Sequence, residues 1–322
     1  MHKKYFIALF STLFLYACEK EEIPIPKHDP GNVITNTVNM NSDYKWQIYF
    51  DLKTNAVVGQ NLKTIWDLGF ACSETDNHII LNSAKSMFCY NTLNSNFNIV
   101  TDTSGFSSNK KCDHPSGHSD STAIGEWEGF NNVYIIDRGY NENGIHQGYK
   151  KIQFLNATST SYTIRFGELN GNNDTTIQVA KDTNYNFTFL SFTSASSVIV
   201  EPPKNTWDLV FSQYTHIFYE PAPTPYLVTG CLLNRHQTMA TIDSTTSFNT
   251  INFTLLPYYS LSSNINTIGY NWKTYSGSNY ATHPHYNYII KDQEGYYYKL
   301  HFIDFYNASG IKGNPKWEFQ QL

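Results

Sequence analysis

The stretch KNTWDLVF at 204–211 repeats an earlier stretch of the same chain, KTIWDLGF at 63–70. When Tyr44 is laid over Tyr185, the surrounding segments align without a gap through both copies of Trp-Asp-Leu. A repeat of this size is typical of a duplicated domain, because solenoid repeats have periods of about 20–50 residues. The sequence therefore predicts two related units, a first one at 39–175 and a second one at 176–322.

Each copy also predicts its own local structure. Alternate side chains of a β-strand share a face, so Trp207, Leu209 and Phe211 are expected to point into one core. The intervening Asp208 is expected to accept hydrogen bonds from a neighbouring turn, since no catalytic partner recurs beside both copies. The residues with predicted structural roles are Trp66, Asp67, Trp207 and Asp208.

The remainder of the chain favours an all-β fold. Tyr and Phe are abundant, with 24 and 21 residues, and aromatic and β-branched residues favour strands. Gly and Asn interrupt the apolar runs about every 8–12 residues, which is typical of antiparallel sheets. No apolar period of 3.6 residues is sustained over a helix-sized window. The sequence predicts two related antiparallel β units.

The N-terminus predicts export and lipid attachment. Residues 1–17 combine basic residues with a short apolar run, as a signal peptide does, and they end in a lipobox-like Leu-Tyr-Ala before Cys18. Acylation of Cys18 would hold the protein on a membrane. Residues 18–38, rich in charge and proline, are interpreted as a tether. The acidic residues after Cys18 resemble a sorting stretch that sends bacterial lipoproteins to the outer cell surface, which implies that location.

Composition and motifs exclude several functions. The formal charge of −5 provides no basic surface for nucleic acid. The sequence contains no GxSxG, HExxH or glycine-rich phosphate-binding motif. We therefore expect a binding protein rather than an enzyme.

Cysteines outside the cytoplasm can form disulfides. The spacing favours a Cys72–Cys89 bridge across a hairpin, and free buried thiols are an equally good interpretation. Cys112, His114 and His118 are close in sequence and supply donor types that bind zinc, so they form a candidate metal site. The alternative is a polar surface loop.

The second half resembles the HmuY family of lipid-anchored haem-binding proteins from Bacteroidota. The resemblance is clearest over 178–322 and rests on four segments. These segments are YNFTFLSFTSASSVI (185–199), NTWDLVFSQY (205–214), YLVTGCLLN (226–234) and YYKLHFIDFYNASGIKGNPKWEF (297–319). It implies an HmuY-like fold, haem as ligand, and delivery to an outer-membrane TonB-dependent transporter.

The family's axial haem ligands, His or Met, have no counterpart at the matching positions. The first would fall within 244–268 and the second just after Trp272, where neither residue occurs. Tyr275 lies close to the second position, and His216 and His236 flank the YLVTG segment, so these three are the candidate ligands. The alternative function is a surface lipoprotein that binds carbohydrate or protein on the same scaffold and has lost haem ligation.

Overall fold

The computed structural model describes residues 30–322, so the predicted signal peptide, Cys18 and most of the predicted tether lie outside it. The first ten described strands are β1 (Ile34–Thr37), β2 (Trp46–Asp51), β3 (Ala56–Leu62), β4 (Leu68–Ala71), β5 (Ile79–Leu81), β6 (Phe88–Asn91), β7 (Val133–Asp137), β8 (Tyr149–Ala157), β9 (Ser161–Gly167) and β10 (Thr175–Ala180). The next ten are β11 (Phe187–Ser191), β12 (Ser196–Val198), β13 (Leu209–Phe218), β14 (Thr224–Leu233), β15 (Met239–Asp243), β16 (Lys273–Tyr275), β17 (Tyr280–Thr282), β18 (Asn287–Lys291), β19 (Tyr297–Tyr306) and β20 (Lys312–Gln321). β1 lies inside the predicted tether, which is therefore shorter than expected.

Helices are few and short. Within residues 30–322, α1 (Phe106–Asn109) is the single α-helix. The 3-10 helices span Ser83–Lys85, Phe97–Ile99, Ser119–Ser121, Lys204–Thr206, Phe248–Thr250 and Phe253–Tyr258. No helix in the described part of the chain is long and apolar enough to span a bilayer. The predicted all-β fold is confirmed.

The strands form antiparallel sheets. Two sheets have five strands, in the orders β1-β20-β19-β18-β15 and β10-β9-β8-β7-β6. Two more have four strands, in the orders β14-β13-β2-β3 and β12-β11-β4-β5. β16 and β17 form a separate two-stranded hairpin. The same pair of sheets thus occurs twice.

Strand pairing crosses the predicted boundary at 175/176. β1 and β2, from the first half, pair with β20 and β13 of the second half. In return, β10 and β11 pair with β9 and β4 of the first half. We define body I as residues 63–200 and body II as residues 30–62 together with 201–322. Body I is therefore inserted into body II between β3 and β13.

Each body has an aromatic core between its five-stranded and four-stranded sheets. In body II, Trp272 stacks on Phe302 and Trp317 stacks on Phe211, with ring centroids 4.0 and 4.7 Å apart. A third core joins the two four-stranded sheets face to face, and it includes Tyr49, Trp66, Ile80, Phe187, Phe189, Trp207, Val210 and Tyr214. The layers therefore contain five, four, four and five strands.

The tryptophans of the repeated phrase lie in this third core. Trp207 belongs to it, whereas Leu209 and Phe211 lie in the core of body II. Trp66 and Phe70 are separated in the same way. The predicted shared face is wrong because each strand begins after its tryptophan, so the strand alternation does not extend to that residue.

The aspartates of the phrase accept hydrogen bonds from a neighbouring turn, as predicted. Asp208 Oδ2 accepts from the backbone N–H of Leu52 at 2.9 Å. Asp67 Oδ2 accepts from the N–H of Phe192 at 2.7 Å. Each donor directly follows a strand that the two sequence halves exchange, β2 or β11, so each aspartate fixes the end of an exchanged strand.

The two aspartates differ in their charged neighbours. Lys85 Nζ lies 2.5 Å from Asp67 Oδ1, and Arg138 Nη2 lies 3.1 Å from Asp67 Oδ2. Asp208 has no ion pair in the described part of the chain, and its Oδ1 is buried without a hydrogen-bond partner there. Burial, with the nearby Asp51 as a smaller cause, raises the pKa of Asp208 to about 8. The same phrase therefore holds an ion-paired aspartate in body I and a neutral acid in body II.

A second buried contact also occurs in both bodies. Asn82 Nδ2 donates to the carbonyls of Lys63 and Trp66 at 2.7 and 2.8 Å. Asn234 makes the same two bonds to the other copy, within 204–207. The same buried contact therefore occurs beside both copies of the repeated phrase.

The four described cysteines are free thiols. The favoured Cys72–Cys89 bridge is therefore wrong, and the alternative of free thiols is confirmed. Cys72 follows β4 in a four-stranded sheet, whereas Cys89 lies on β6 in a five-stranded sheet. The two residues do not share the hairpin that the prediction required.

Candidate ligand-binding site

An open cavity of about 430 Å³ lies in body II, where the β13–β14 hairpin meets the β16–β17 hairpin. Its aromatic lining consists of Tyr44, Phe218, Tyr226, Tyr270, Tyr275 and Tyr280. Its other lining residues are Gln213, Leu227, Val228, Thr229, Lys273 and Thr274. We call this site the aromatic cavity. Small-molecule sites in proteins have volumes of about 300–1,000 Å³, and this one lies within that range.

One wall is an arm of two strands. β13 pairs with β2 only as far as Phe211, but it pairs with β14 as far as Phe218. The distal half of the β13–β14 hairpin therefore extends beyond the sheet. The Phe218 ring lies beside the cavity, with its centroid 6.0 Å from Tyr226 and 5.8 Å from Tyr270. The arm thus contributes the aromatic rings of Phe218 and Tyr226 to the cavity wall.

The other wall combines distant parts of the chain. Tyr275 and Tyr280 face each other across the β16–β17 hairpin, with ring centroids 5.0 Å apart. Tyr44, just before β2, stacks on Phe305 of β19 at 5.9 Å. Because residues 30–62 belong to body II, the strand exchange is what brings Tyr44 to the cavity.

Lys273 is a buried cation in the wall of the aromatic cavity. Its ammonium donates a hydrogen bond to the carbonyl of Thr229 at 2.5 Å. Aromatic rings surround it, with the centroids of Trp272, Phe305 and Tyr280 at 4.0, 4.8 and 5.7 Å from Nζ. Burial lowers the pKa of Lys273 to about 7. This residue places a titratable positive charge among uncharged lining residues.

The structure separates the three predicted haem ligands. Tyr275 lines the aromatic cavity, and its hydroxyl donates to the carbonyl of Gly277 at 2.8 Å. His216 lies on the arm, two residues before Phe218 and paired across the strands with Tyr226, and it is not part of the cavity lining. His236 follows Leu233, which lies at the opposite end of the hairpin. At about 3.4 Å per residue, roughly 20 Å separates the two histidines, so they do not bracket one ligand.

The predicted metal site does not form in the described residues, which contain no cluster of three His, Cys, Asp or Glu residues that could hold an ion. His114 Nε2 bonds the hydroxyl of Tyr219 at 3.0 Å. His118 Nε2 donates to Asn264 Oδ1 at 2.6 Å, and Cys112 is half-buried with a raised pKa of about 11. Both histidines thus bond residues of body II, and their loop joins the two bodies.

Sequence reasoning missed most of the aromatic cavity. Its lining comes from Tyr44 near the start of body II and from separate later segments between 213 and 280, so no local motif contains it. One signal was present in the alternation of Tyr214, His216 and Phe218 along a single strand. That alternation predicts an aromatic face, but it does not predict which face stays open.

Comparisons with known proteins identify the family of the chain. The family model described as HmuY protein matches residues 43–319. No curated protein matches. Among solved structures, apo PinO from Porphyromonas gingivitis is 9% identical, with 90% of this chain and 97% of that chain covered and a TM-score of 0.35. The apo HmuY analog from Tannerella forsythia is 10% identical, with 91% and 98% covered and a TM-score of 0.34. Because the family model spans most of its length, the chain belongs to the HmuY family.

Proposed function

We propose that this protein binds haem, or a related flat ring, in the aromatic cavity and holds it without chemical change. The observation that carries the proposal is the set of six aromatic side chains around the cavity. Aromatic faces stack on flat apolar rings, and each such contact is worth about 0.5–1.5 kcal/mol beyond the buried area. Membership of the HmuY family supports haem as the ring.

Three side chains are suited to coordinate haem iron. Tyr226 and Tyr275 line the cavity, and a tyrosine oxygen is a known ligand of haem iron in proteins. The His216 ring lies 5.0 Å from Phe218 and 4.9 Å from Tyr270, and its Nδ1 is buried without a partner in the described residues. Burial lowers the pKa of His216, which favours the neutral imidazole that metals bind.

The proposed location is the outer face of the outer membrane. Acyl chains on Cys18 would anchor the protein, and the remaining tether would hold the two bodies away from the lipid surface. The proposed partner is an outer-membrane TonB-dependent transporter that receives the ligand. The motif before Cys18 and the acidic residues after it support this placement.

A haemin titration of the chain without its lipid anchor tests the proposal. We expect a shifted Soret band with submicromolar affinity. The double variant Phe218→Ala/Tyr226→Ala should weaken binding by roughly tenfold or more, because two ring contacts are lost. The matched control is Tyr258→Ala, which removes an 82% exposed tyrosine that is not part of the cavity lining.

A Soret band that stays unshifted in both oxidation states would contradict haem binding. It would favour the alternative of a carbohydrate- or protein-binding surface protein, since tyrosine rings also stack on sugars. Equal affinities for the wild type and the double variant would contradict the assignment of the aromatic cavity as the site.

A further inference from the structure

Lys273 is the charged residue of the aromatic cavity. The described lining residues include this one lysine and no carboxylate, arginine or histidine. The side chain is buried, with 6% of the residue exposed. A buried cation is costly unless it meets an anion or enough hydrogen-bond acceptors. Its presence in the wall of a ligand cavity therefore needs a physical reason.

We propose that Lys273 recognises an acidic group of the ligand, so that the aromatic cavity selects flat aromatic compounds that carry a carboxylate. This inference rests on the proposed function and adds the chemical class of ligand to it.

The contacts of Lys273 leave room for an anion. An ammonium has three N–H donors, and the described residues accept a hydrogen bond from one of them, at the Thr229 carbonyl. The rings of Trp272, Tyr280 and Phe305 hold the charge through their faces but accept no conventional hydrogen bond. A ligand carboxylate at the cavity wall would accept the remaining donors and neutralise the charge.

The surroundings of Lys273 also predict how pH affects binding. The titratable groups near it are the Cys231 thiol on β14 and the phenols of Tyr280 on β17 and of Tyr44 and Tyr275 in the cavity lining. Burial raises the pKa of Cys231 and of Tyr44, so both stay neutral near pH 7. Lys273, with a pKa of about 7 in the free protein, is therefore the group that changes charge.

A bound carboxylate raises the pKa of a lysine. Below about pH 6, Lys273 is protonated with and without ligand, and the affinity has its full value. Above its free pKa, binding must also take up a proton, so the affinity for an acid falls by up to about tenfold per pH unit. An uncharged ligand does not show this dependence.

The test compares metal-free protoporphyrin IX with its dimethyl ester, both measured by tryptophan quenching at pH 6 and pH 9. For the wild type we expect at least tenfold tighter binding of the diacid at pH 6 and a smaller preference at pH 9. Lys273→Met should bind both compounds alike. The matched control is Lys312→Met, which removes an exposed lysine near Tyr44 that is not part of the lining and should keep the preference.

The outcomes separate the two claims. Failure of the wild type to bind either porphyrin would contradict the proposed function. Equal binding of diacid and diester by the wild type, or a preference that survives in a folded Lys273→Met, would overturn the role of Lys273 alone. If Lys273→Met does not fold, the wild-type pH profile still decides, because a preference independent of pH would overturn the proposal.

Discussion

Asp67→Asn is expected to lower the free energy of unfolding by about 3–5 kcal/mol, because it removes the negative charge between two buried cations. Lys85 and Arg138 both lie against this carboxylate, and the Lys85 side chain is 1% exposed. An amide would leave Lys85 charged, buried and without a counter-charge. Urea unfolding followed by tryptophan fluorescence measures the loss.

Asp208→Asn is the matched control, because it changes the same position of the other repeat. Asp208 has no ion pair in the described part of the chain and holds its proton at neutral pH, so an amide replaces a neutral group of similar shape. Below about pH 4, where the unfolded chain also holds this proton, we expect a change within about 1 kcal/mol, the usual range for one hydrogen bond, and at neutral pH we expect no loss of stability. Equal losses for the two variants would contradict the assigned charge states.

Asp208 also predicts how stability depends on pH. Its pKa is about 8 in the folded protein, well above the value for an unfolded chain, about 3.9. Between these values the folded state holds a proton that the unfolded state has released. Stability is therefore full below about pH 4 and falls as pH rises to about 8, by at most about 1.4 kcal/mol per pH unit.

Two further buried acids, Asp113 and Glu201, act in the same direction, since burial raises their pKa values to about 6 and 7. Asp208→Asn should therefore gain stability relative to the wild type between pH 5 and pH 8. Unfolding curves at several pH values measure this difference, and a constant difference would contradict it.

Trp272→Ala should cost about 3–5 kcal/mol of stability, as is usual for deleting a buried Trp, and should also abolish haemin binding. Trp272 is fully buried, stacks on Phe302, and precedes Lys273 in the cavity wall. Its removal leaves a void beneath that wall. The aromatic side chains around the Lys273 ammonium then lose their packing, and the cavity loses its shape. Thermal unfolding and the Soret titration measure the two effects.

Trp127→Ala is the control in body I. Trp127 is also buried and packs on Phe154 and Tyr162, with ring centroids 5.6 and 6.2 Å apart. We expect a similar loss of stability with haemin affinity kept, because Trp127 lies far from the aromatic cavity in the fold. Loss of binding in both variants, measured below their melting temperatures, would contradict a site confined to body II.

The fold class was predictable from the sequence, but the exchange of strands was not. Strand period, turn residues and the repeated Trp-Asp-Leu phrase correctly predict antiparallel sheets. The two copies of the phrase lead into β4 and β13, which therefore have similar starting sequences. From sequence alone, the β2–β3 hairpin could pair with either strand. The choice depends on packing of the whole chain.

The site was less predictable than the fold, for a related reason. Tyr275 was identified because it follows Trp272, near the expected ligand position. Tyr44, Phe218 and Tyr226 meet only through tertiary contacts, and no spacing in the sequence connects them. The Cys112–His118 cluster had the residue types of a metal site, but its histidines bond residues of body II instead.

The central claim is that the ligand site belongs to body II as a permuted unit, with residues 30–62 built into it. The two ends of body II lie close together, because Gln320 Nε2 donates to the carbonyl of Gly31 at 2.6 Å. A short Gly-Ser linker can therefore join residue 322 to residue 30.

We would co-express body I (63–200) with a second chain that runs from 201 to 322, through the linker, and then from 30 to 62. The measurement is a haemin titration of the purified pair. We expect a one-to-one complex that binds haemin within threefold of the intact protein. A complex with the same circular dichroism spectrum that does not bind haemin, while the intact chain does, would contradict it.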